Sequence, residues 1–507
     1  MNKDKIILYI VIAGALLAAP WVGNQIGNQN YLDVILWVVI IVGIILIQFD
    51  EELFIKLLVG SFFIPDLSAI NIPFSIPEAL MGTMIVRYVI KDLIFAKGFL
   101  KLGFRPEGYF AIGLMIILLY HGIQNKFAMK FLGSDVWGGH AYITLGLASL
   151  CYFIILTKGV PLGHLKNLPG VVLLCSFIGL VYQLIGVAFP QLGISVENTG
   201  ELDFGSRWGF LGDFGYMLVL YVISKEKLQN LFLGGKLVPT CAVIIGVVLC
   251  ALSGFRSCLL IVLTMSIFWG YRDLRLRGLL AILIFVTVPV VIVSLPGVGS
   301  LLPAKVQRGL TFLPGQWDEE AKLDSSNSNE FRQLVWQSWT DQYFYKHPWI
   351  GRGFGLTPEE MMSTQFYMGG YNEMSTTDFD RDTAFAVSGN LHSGFLSIVD
   401  KVGIIGAFFF LAHFLTTLTR INSYINRSYR APLIPQLQWV LAYIVVFGIM
   451  YLPGSSRIDT YLPFYLISTA CFGMMYKQVL IERNALPIVT ELQDPMKQPR
   501  QPLPVLG

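Results

Sequence analysis

Apolar runs of span length alternate with short polar connections along most of the chain, and one long polar interval interrupts them. A helix that crosses a bilayer needs about 20 mostly apolar residues. Segments 5–22, 31–48, 53–70, 78–96, 108–124, 140–157, 170–189, 208–224, 236–254, 257–271, 277–296, 393–416, 434–453 and 460–477 fit that description. The pattern predicts an all-α polytopic integral membrane protein of about 12–14 transmembrane helices. Segments 53–70 and 78–96 are the weakest. Lys56, Glu78, Arg87 and Lys91 interrupt them, and Pro65, Pro73 and Pro77 break the stretch between, so they are read as short, tilted or interfacial. The expected organisation is a membrane region over 1–296, a large loop over 297–392, further spans over 393–477 and a disordered, proline-rich tail over 478–507. The run behind the N-terminal MNKDK has no convincing small-x-small cleavage site and is read as a retained span.

The 297–392 interval is too long for a mere connector. Within it, NEFRQLVWQSW places Phe331, Leu334, Val335 and Trp339 at helical spacing, with Arg332 and Trp336 on another face. That predicts a short amphipathic helix lying on the membrane surface.

Composition agrees with the pattern. Only 14% of residues are charged, against about 25% in soluble domains. The net charge of +3 is too small to suggest a nucleic-acid partner, but its distribution is informative. With the N-terminus inside, the inside connections hold Lys97, Lys101 and Arg105; Lys158 and Lys166; Lys225 and Lys227; Arg272, Arg275 and Arg277; and Arg420, Arg427 and Arg430. The outside connections are mostly neutral or acidic, Lys126 and Lys130 excepted. This bias predicts cytoplasmic termini and an extracytoplasmic large loop. The cysteines fall in or beside apolar runs with no C-x-x-C, so neither a disulfide framework nor a zinc site is expected.

The same topology gathers chemistry-bearing residues at the outer membrane edge. Arg207 opens the segment RWGFLGDFGYMLVLY, Arg256 sits between two apolar runs in ALSGFRSCLLIVL, and His392 precedes the run after the loop. Arginine in mid-bilayer costs roughly 2.5–3.5 kcal/mol on the mild scale, so Arg256 is either a snorkelling anchor or part of an anion site. Guanidinium suits phosphate, which it binds bidentately. Arg308, Arg332, Arg352 and Arg381 add charge from the loop. Asp213 is read as an arginine partner rather than a substrate contact. His392 is either a helix cap or a general base, since an unperturbed imidazole is largely neutral at pH 7. The loop's DFDRD (Asp378, Asp380, Asp382) lacks the glycine and glutamate of a calcium loop, so no metal is expected.

Taken together, R332-QLVWQSWTDQYFYKHPWIGRGFG355 and N390-LHSGFLSIVDKVGIIG406 resemble the signature of the O-antigen ligase and polymerase superfamily: an Arg and Trp on a loop helix, a "hP-x-x-G-x-G-x-G" turn, and a His opening a span with "G-x-x-G" beyond it. LSGFRSCLL resembles the family's upstream "S-x-S-R", and the segment from Arg207 resembles the one before that. The resemblance covers roughly residues 200–410, and order and spacing carry it. His392-Ser393 departs from the usual His-Asn, as do residues 212–214 from the usual proline and asparagine. The resemblance implies a GT-C-like, metal-independent glycosyltransferase in the bacterial inner membrane that needs no cofactor. It implies an undecaprenyl-diphosphate-linked oligosaccharide donor, a glycan or lipid A-core acceptor, and a flippase and chain-length regulator nearby. It also implies that Arg207, Arg256 and Arg332 hold the diphosphate, that His392 activates the acceptor hydroxyl, and that Asp213 and Arg352 support them. Span count leans toward a polymerase rather than a ligase. A flippase or transporter would show repeats and midplane charges on broken helices, which this sequence does not clearly show. A cell-wall glycan polymerase of the shape–elongation–division type fits the loop less well.

Overall fold

The computed structural model describes residues 51–64, 75–89, 106–129, 132–158, 162–189, 208–232, 235–362, 381–428, 434–454 and 457–485. Their helices are α1 (Glu51–Ser61), α2 (Ile76–Val89), α3 (Pro106–Gln124), α4 (Gly139–Lys158), α5 (Leu168–Ala188), α6 (Gly209–Lys225), α7 (Leu228–Phe232), α8 (Leu237–Leu252), α9 (Arg256–Leu274), α10 (Leu276–Ser294), α11 (Ala304–Leu310), α12 (Glu319–Trp339), α13 (Arg381–Ser388), α14 (Gly394–Ser428), α15 (Pro435–Tyr451) and α16 (Ile458–Ala485). Among the described residues there is no β-strand, only an isolated bridge between Trp137 and Leu356. The chain is thus all-α and polytopic, as its pattern predicts. Among the described residues six helices, α3, α4, α5, α9, α10 and α14, are long and apolar enough to cross a membrane, while α8 and α15 are apolar but shorter.

The described parts of the two weakest predicted spans form α1 and α2, and residues 65–70 and 90–96 of those spans lie outside the described residues. Two expectations need correction. Helix α16 continues to Ala485, so the expected tail does not start at 478. The amphipathic loop helix begins at Glu319, ten residues before the predicted Asn329, because its first half has no apolar period to read. Glu319 and Glu320 in its first turn instead favour the positive end of the helix dipole. The segments 5–22 and 31–48 and residues beyond 485 lie outside the described residues.

Helix α15 is the buried centre, with most of its residues from Gln436 to Tyr451 inside. It packs on α6, α9, α14 and α16. Helix α10 is the opposite case, with 12% of its span buried, as a lipid-facing helix should be. Close helix approach uses small residues. A Cβ on Gly215 of α6 would sit 2.7 Å from the carbonyl of Gly246 on α8, and the reverse distance is 2.6 Å, so both positions exclude a side chain.

Connections that the charge pattern assigns to one side lie together in the fold. The α3–α4 connection meets the large loop, where Trp137 and Leu356 exchange two backbone hydrogen bonds of 2.8 Å. The basic connections gather at the other end. There Arg272 donates to the carbonyl of Ile223 at 2.8 Å, Arg275 to that of Ile425 at 3.3 Å, and Arg420 pairs with Glu107.

Helix α14 is broken at Gly403 (φ 70°). A straight helix would put residues 394 and 410 about 24 Å apart. Both instead lie against Tyr451, so the break is a sharp bend. The HPWIGRG turn fills it. The N–H groups of Arg352 and Gly353 donate to the carbonyls of Asp400 and Lys401 at 2.9 and 3.1 Å. The N–H groups of Ile404 and Ile405 donate to those of Pro348 and Trp349 at 2.9 and 3.0 Å. Thus the backbone groups freed by the break are satisfied by protein, which a low-dielectric setting demands. A Cβ on Gly403 would lie 2.2 Å from the Trp349 carbonyl.

Left-handed backbone costs a non-glycine residue about 1–2 kcal/mol, and here the clash adds to it. Gly403→Ala should therefore destabilise the purified protein by more than about 2 kcal/mol in detergent thermal unfolding. Gly82→Ala, where nothing lies within 4 Å, should stay within about 1 kcal/mol of the parent.

Candidate functional site

Helix α9 starts at Arg256 on the large-loop face, so the arginine opens the helix rather than crossing the bilayer. Its Nε donates to the carbonyl of Arg308 at 3.3 Å, and its Nη2 to Thr311 Oγ1 at 3.1 Å and to Ser325 Oγ. Arg308 in turn pairs with Asp324. Trp208, just before α6, donates its backbone N–H to the Ser253 carbonyl at 3.2 Å and carries the Lys305 ammonium 4.0 Å from its ring centroid. The start of α6, the α8–α9 turn, α11 and α12 therefore meet around Arg256.

Ser325 and Arg332 are two helical turns apart on α12, hence on one face. That register brings Arg332 into electrostatic range of both Arg256 and His392. Arg332 is half-buried. Among the described residues its guanidinium has no acidic or hydrogen-bonding partner.

His392 sits two residues before α14, with φ at +49°. Such backbone is uncommon outside glycine and persists only when its surroundings hold it. Here Trp336 Nε1 donates to the Leu391 carbonyl at 2.6 Å, and Ser393 Oγ to that of Leu452 at 3.2 Å. The imidazole stacks on Phe385 at 5.7 Å between centroids and meets the Phe331 ring at 6.1 Å, tilted 69°. Neither ring nitrogen has a partner among the described residues, and neither is sealed from the surface. Burial, and then the Arg332 charge, push its pKa down to about 4. It is a neutral imidazole at pH 7.

Arg352 has a different task. It is buried behind His392, where Nε and Nη2 grip Asp400 Oδ1 and Oδ2 at 2.8 and 3.1 Å. Nη2 also reaches the carbonyls of Ala386, at 3.1 Å, and Val387. Burial disfavours its charge, but the Asp400 carboxylate outweighs that and holds its pKa above the ordinary value. Trp339 Nε1 and Lys401 Nζ, both at 2.9 Å, complete the coordination of Asp400. Arg352 thus fixes α13, the glycine turn and α14 relative to one another, and it supports the site without reaching it.

Three of the expected residues therefore converge: Arg256, Arg332 and His392. Arg352 stands behind them. Arg207, Asp378 and Asp380 lie outside the described residues, so an Arg207–Asp213 pair does too. Asp213 is bonded to the Tyr216 hydroxyl and borders a cavity toward α1 and α5. The expected surface helix is in fact docked. Val335 and Trp339 are buried and Phe331 packs on the core, whereas Leu334 is 47% exposed. Sequence reasoning missed Asp400 and Lys401, although two charges within SIVDKVGIIG are a signal, because ionisable residues in spans are rare and purposeful.

These features define a multi-pass helical membrane protein with a cationic site and a neutral imidazole at one end of its bundle, under a structured loop. Residues 241–411 match the family model described as O-antigen ligase, a match that supports membership of the O-antigen ligase/polymerase superfamily. The matched span contains Arg256, Arg332, Arg352 and His392. No curated protein matches the chain.

Two predictions follow from the geometry. Between pH 6.5 and about 4 the unfolded chain binds a proton that the folded His392 rejects. Its contribution to stability is therefore complete above pH 6.5 and lost as pH falls toward 4. In histidine-labelled protein in nanodiscs, the His392 imidazole should titrate near 4, and its midpoint should rise in Arg332→Gln; a parent midpoint near 6.5 contradicts this. Asp400→Asn leaves Arg352 buried without its carboxylate and should cost about 3–5 kcal/mol, read as loss of folded protein on size exclusion.

Proposed function

We propose that the chain is a glycosyltransferase on the periplasmic face of the bacterial inner membrane, with both termini cytoplasmic. It moves a glycan from undecaprenyl diphosphate to an acceptor hydroxyl and polymerises surface-polysaccharide repeat units. The observation that carries this reading is Arg332, a half-buried guanidinium with no anion of its own among the described residues, set between Arg256 and a neutral imidazole. Attraction between unit charges 4 Å apart is about 4 kcal/mol at an effective dielectric of 20. A diphosphate is the anion that a lipid-linked sugar brings to this depth.

The chemistry then distributes as follows. Arg256 and Arg332, joined by Arg207, bind the diphosphate. The bond between the anomeric carbon and the phosphate oxygen breaks, its electron pair leaves with the diphosphate, and the guanidinium groups stabilise that charge. The acceptor oxygen forms the new bond while His392 takes its proton. The two guanidinium groups fill the role that a divalent cation plays in other transferases. Arg352 acts by positioning.

The acceptor separates polymerase from ligase. The span count read from the sequence favours a polymerase. The matched family's description as O-antigen ligase favours transfer to lipid A-core or a similar anchor.

A deletion strain complemented with variants tests both readings. Single repeats on the final anchor identify a polymerase, and long chains retained on undecaprenyl diphosphate identify a ligase. His392→Ala should lower transfer by about 10²–10⁴, and Arg256→Ala and Arg332→Ala by at least about 10-fold each. Full complementation by all three variants would refute the site.

A further inference from the structure

Helix α10 does not end the apolar run that it belongs to. It is 19 residues long, about 28 Å of helix, against a hydrocarbon core of about 30 Å. It therefore reaches the membrane edge on the large-loop side near Ser294. The next stretch, LPGVGSLLPAKVQRGLTFL from Leu295 to Leu313, contains no acidic residue and two cations, Lys305 and Arg308. It stays at that edge. Gly299 backs onto the Gln316 carbonyl, and a Cβ on Gly315 would lie 3.3 Å from the Val293 carbonyl, so the chain that leaves α10 returns to its end.

The two sides of this stretch differ. Its inner side is fixed by protein. Gln307 is buried and donates from Nε2 to the Leu302 carbonyl at 2.9 Å and to Asp318 Oδ2 at 2.7 Å, and buried Trp317 donates to the Leu313 carbonyl at 3.0 Å. Its outer side is apolar and open among the described residues. Leu301 is 82% exposed and Phe312 54%, and exposed Leu295 continues the exposed face that Val291 and Ile292 begin on α10. The backbone suits lipid as well. Pro296 and Pro303 have no N–H. The N–H groups of Leu295, Val298, Leu301 and Leu302 each donate to a carbonyl three residues earlier at 3.2 Å. Water would satisfy such groups unaided, whereas hydrocarbon demands an internal partner. Nor do the charges oppose it. Arg308 pairs with Asp324, and Lys305 carries its ammonium to the face of Trp208, a residue type enriched at headgroup level.

We propose that residues 295–313 form a membrane anchor inserted into the leaflet on the large-loop side, with Leu301 and Phe312 among its acyl chains. Lipid is the occupant of this face because the face continues that of α10, whose span is 12% buried. The anchor goes beyond the transferase reading and holds whatever the chain transfers. Its consequence for the site is depth. The Arg308 carbonyl and Thr311 Oγ1 belong to the anchor, and both accept from Arg256, so the anchor sets the level at which Arg256 meets the membrane.

The test uses the full chain in nanodiscs with Cys241→Ser, which removes the exposed cysteine and leaves the buried ones. Nitroxide labels are placed singly at Leu301→Cys, Phe312→Cys and, as a water-facing control, Lys322→Cys on α12, where the side chain is 47% exposed. Dissolved oxygen relaxes a label in lipid most strongly, and a water-soluble nickel chelate relaxes one in water. Oxygen should dominate at 301 and 312, at a depth of about 5–10 Å, and the order should reverse at 322. Leu295→Cys, on the same face, replaces either variant that aggregates on size exclusion. Nickel dominance at either anchor position overturns the anchor. Weak relaxation by both reagents overturns it too, since that identifies a protein cover, from a second copy or another part of this chain. Arg256 is unaltered throughout, so failure of the anchor leaves the transferase reading standing.

Discussion

At Gly403 helix α14 gives up its own hydrogen bonds and takes four from the large loop instead. The rest of the site depends on that exchange. A loop about 95 residues long would otherwise have no fixed place over the bundle, because its closure costs entropy that few surface contacts repay. The glycines make the exchange sterically possible. Gly351 and Gly403 face each other so closely that a Cβ on Gly351 would lie 2.6 Å from the Gly403 nitrogen. Once the backbone is joined, Arg352 lies beside Asp400, and the end of α13 is tied to both. The short turn to His392 follows from there.

The charges near this end fall into two kinds, and partner count separates them. Asp400 is fully coordinated by Arg352, Lys401 and Trp339. A buried pair of this sort gains little net stability, yet losing one member is costly, so it specifies geometry. Arg256 spends its hydrogen bonds on neutral oxygens. Arg332 has no partner among the described residues. Neither guanidinium is hydrogen-bonded to a carboxylate among the described residues. Burial, and after it the Arg332 charge, keeps His392 neutral, so an anion bound at Arg332 would make the imidazole a stronger base by offsetting that charge. In the proposed reaction, donor binding and acceptor activation are then linked through one side chain.

Much of this was legible in the sequence. Apolar runs gave the helices, and Arg256 and His392 stood out because charge is disfavoured where they sit. Other features were not legible, for physical reasons. The first half of α12 has no apolar period, so its start was invisible. Leu334 matched the helical period but faces away from the protein, since periodicity reports a face and not what covers it. The break in α14 has no proline to mark it, and its hydrogen bonds are replaced from a loop some fifty residues earlier. Arg352 was read as a supporting residue, but what it holds was not legible because its partner Asp400 is distant in sequence and close only in space.

The central claim is that Arg256, Arg332 and His392 form one donor site. It is tested most directly by a cryo-electron microscopy structure of the protein in nanodiscs with an undecaprenyl-diphosphate-linked repeat unit. The account predicts diphosphate density bonded to Arg256 and Arg332, with the anomeric carbon facing the open edge of the His392 ring and the Arg352–Asp400 pair unchanged. Diphosphate density elsewhere on the bundle, with Arg332 turned to another partner, would contradict it.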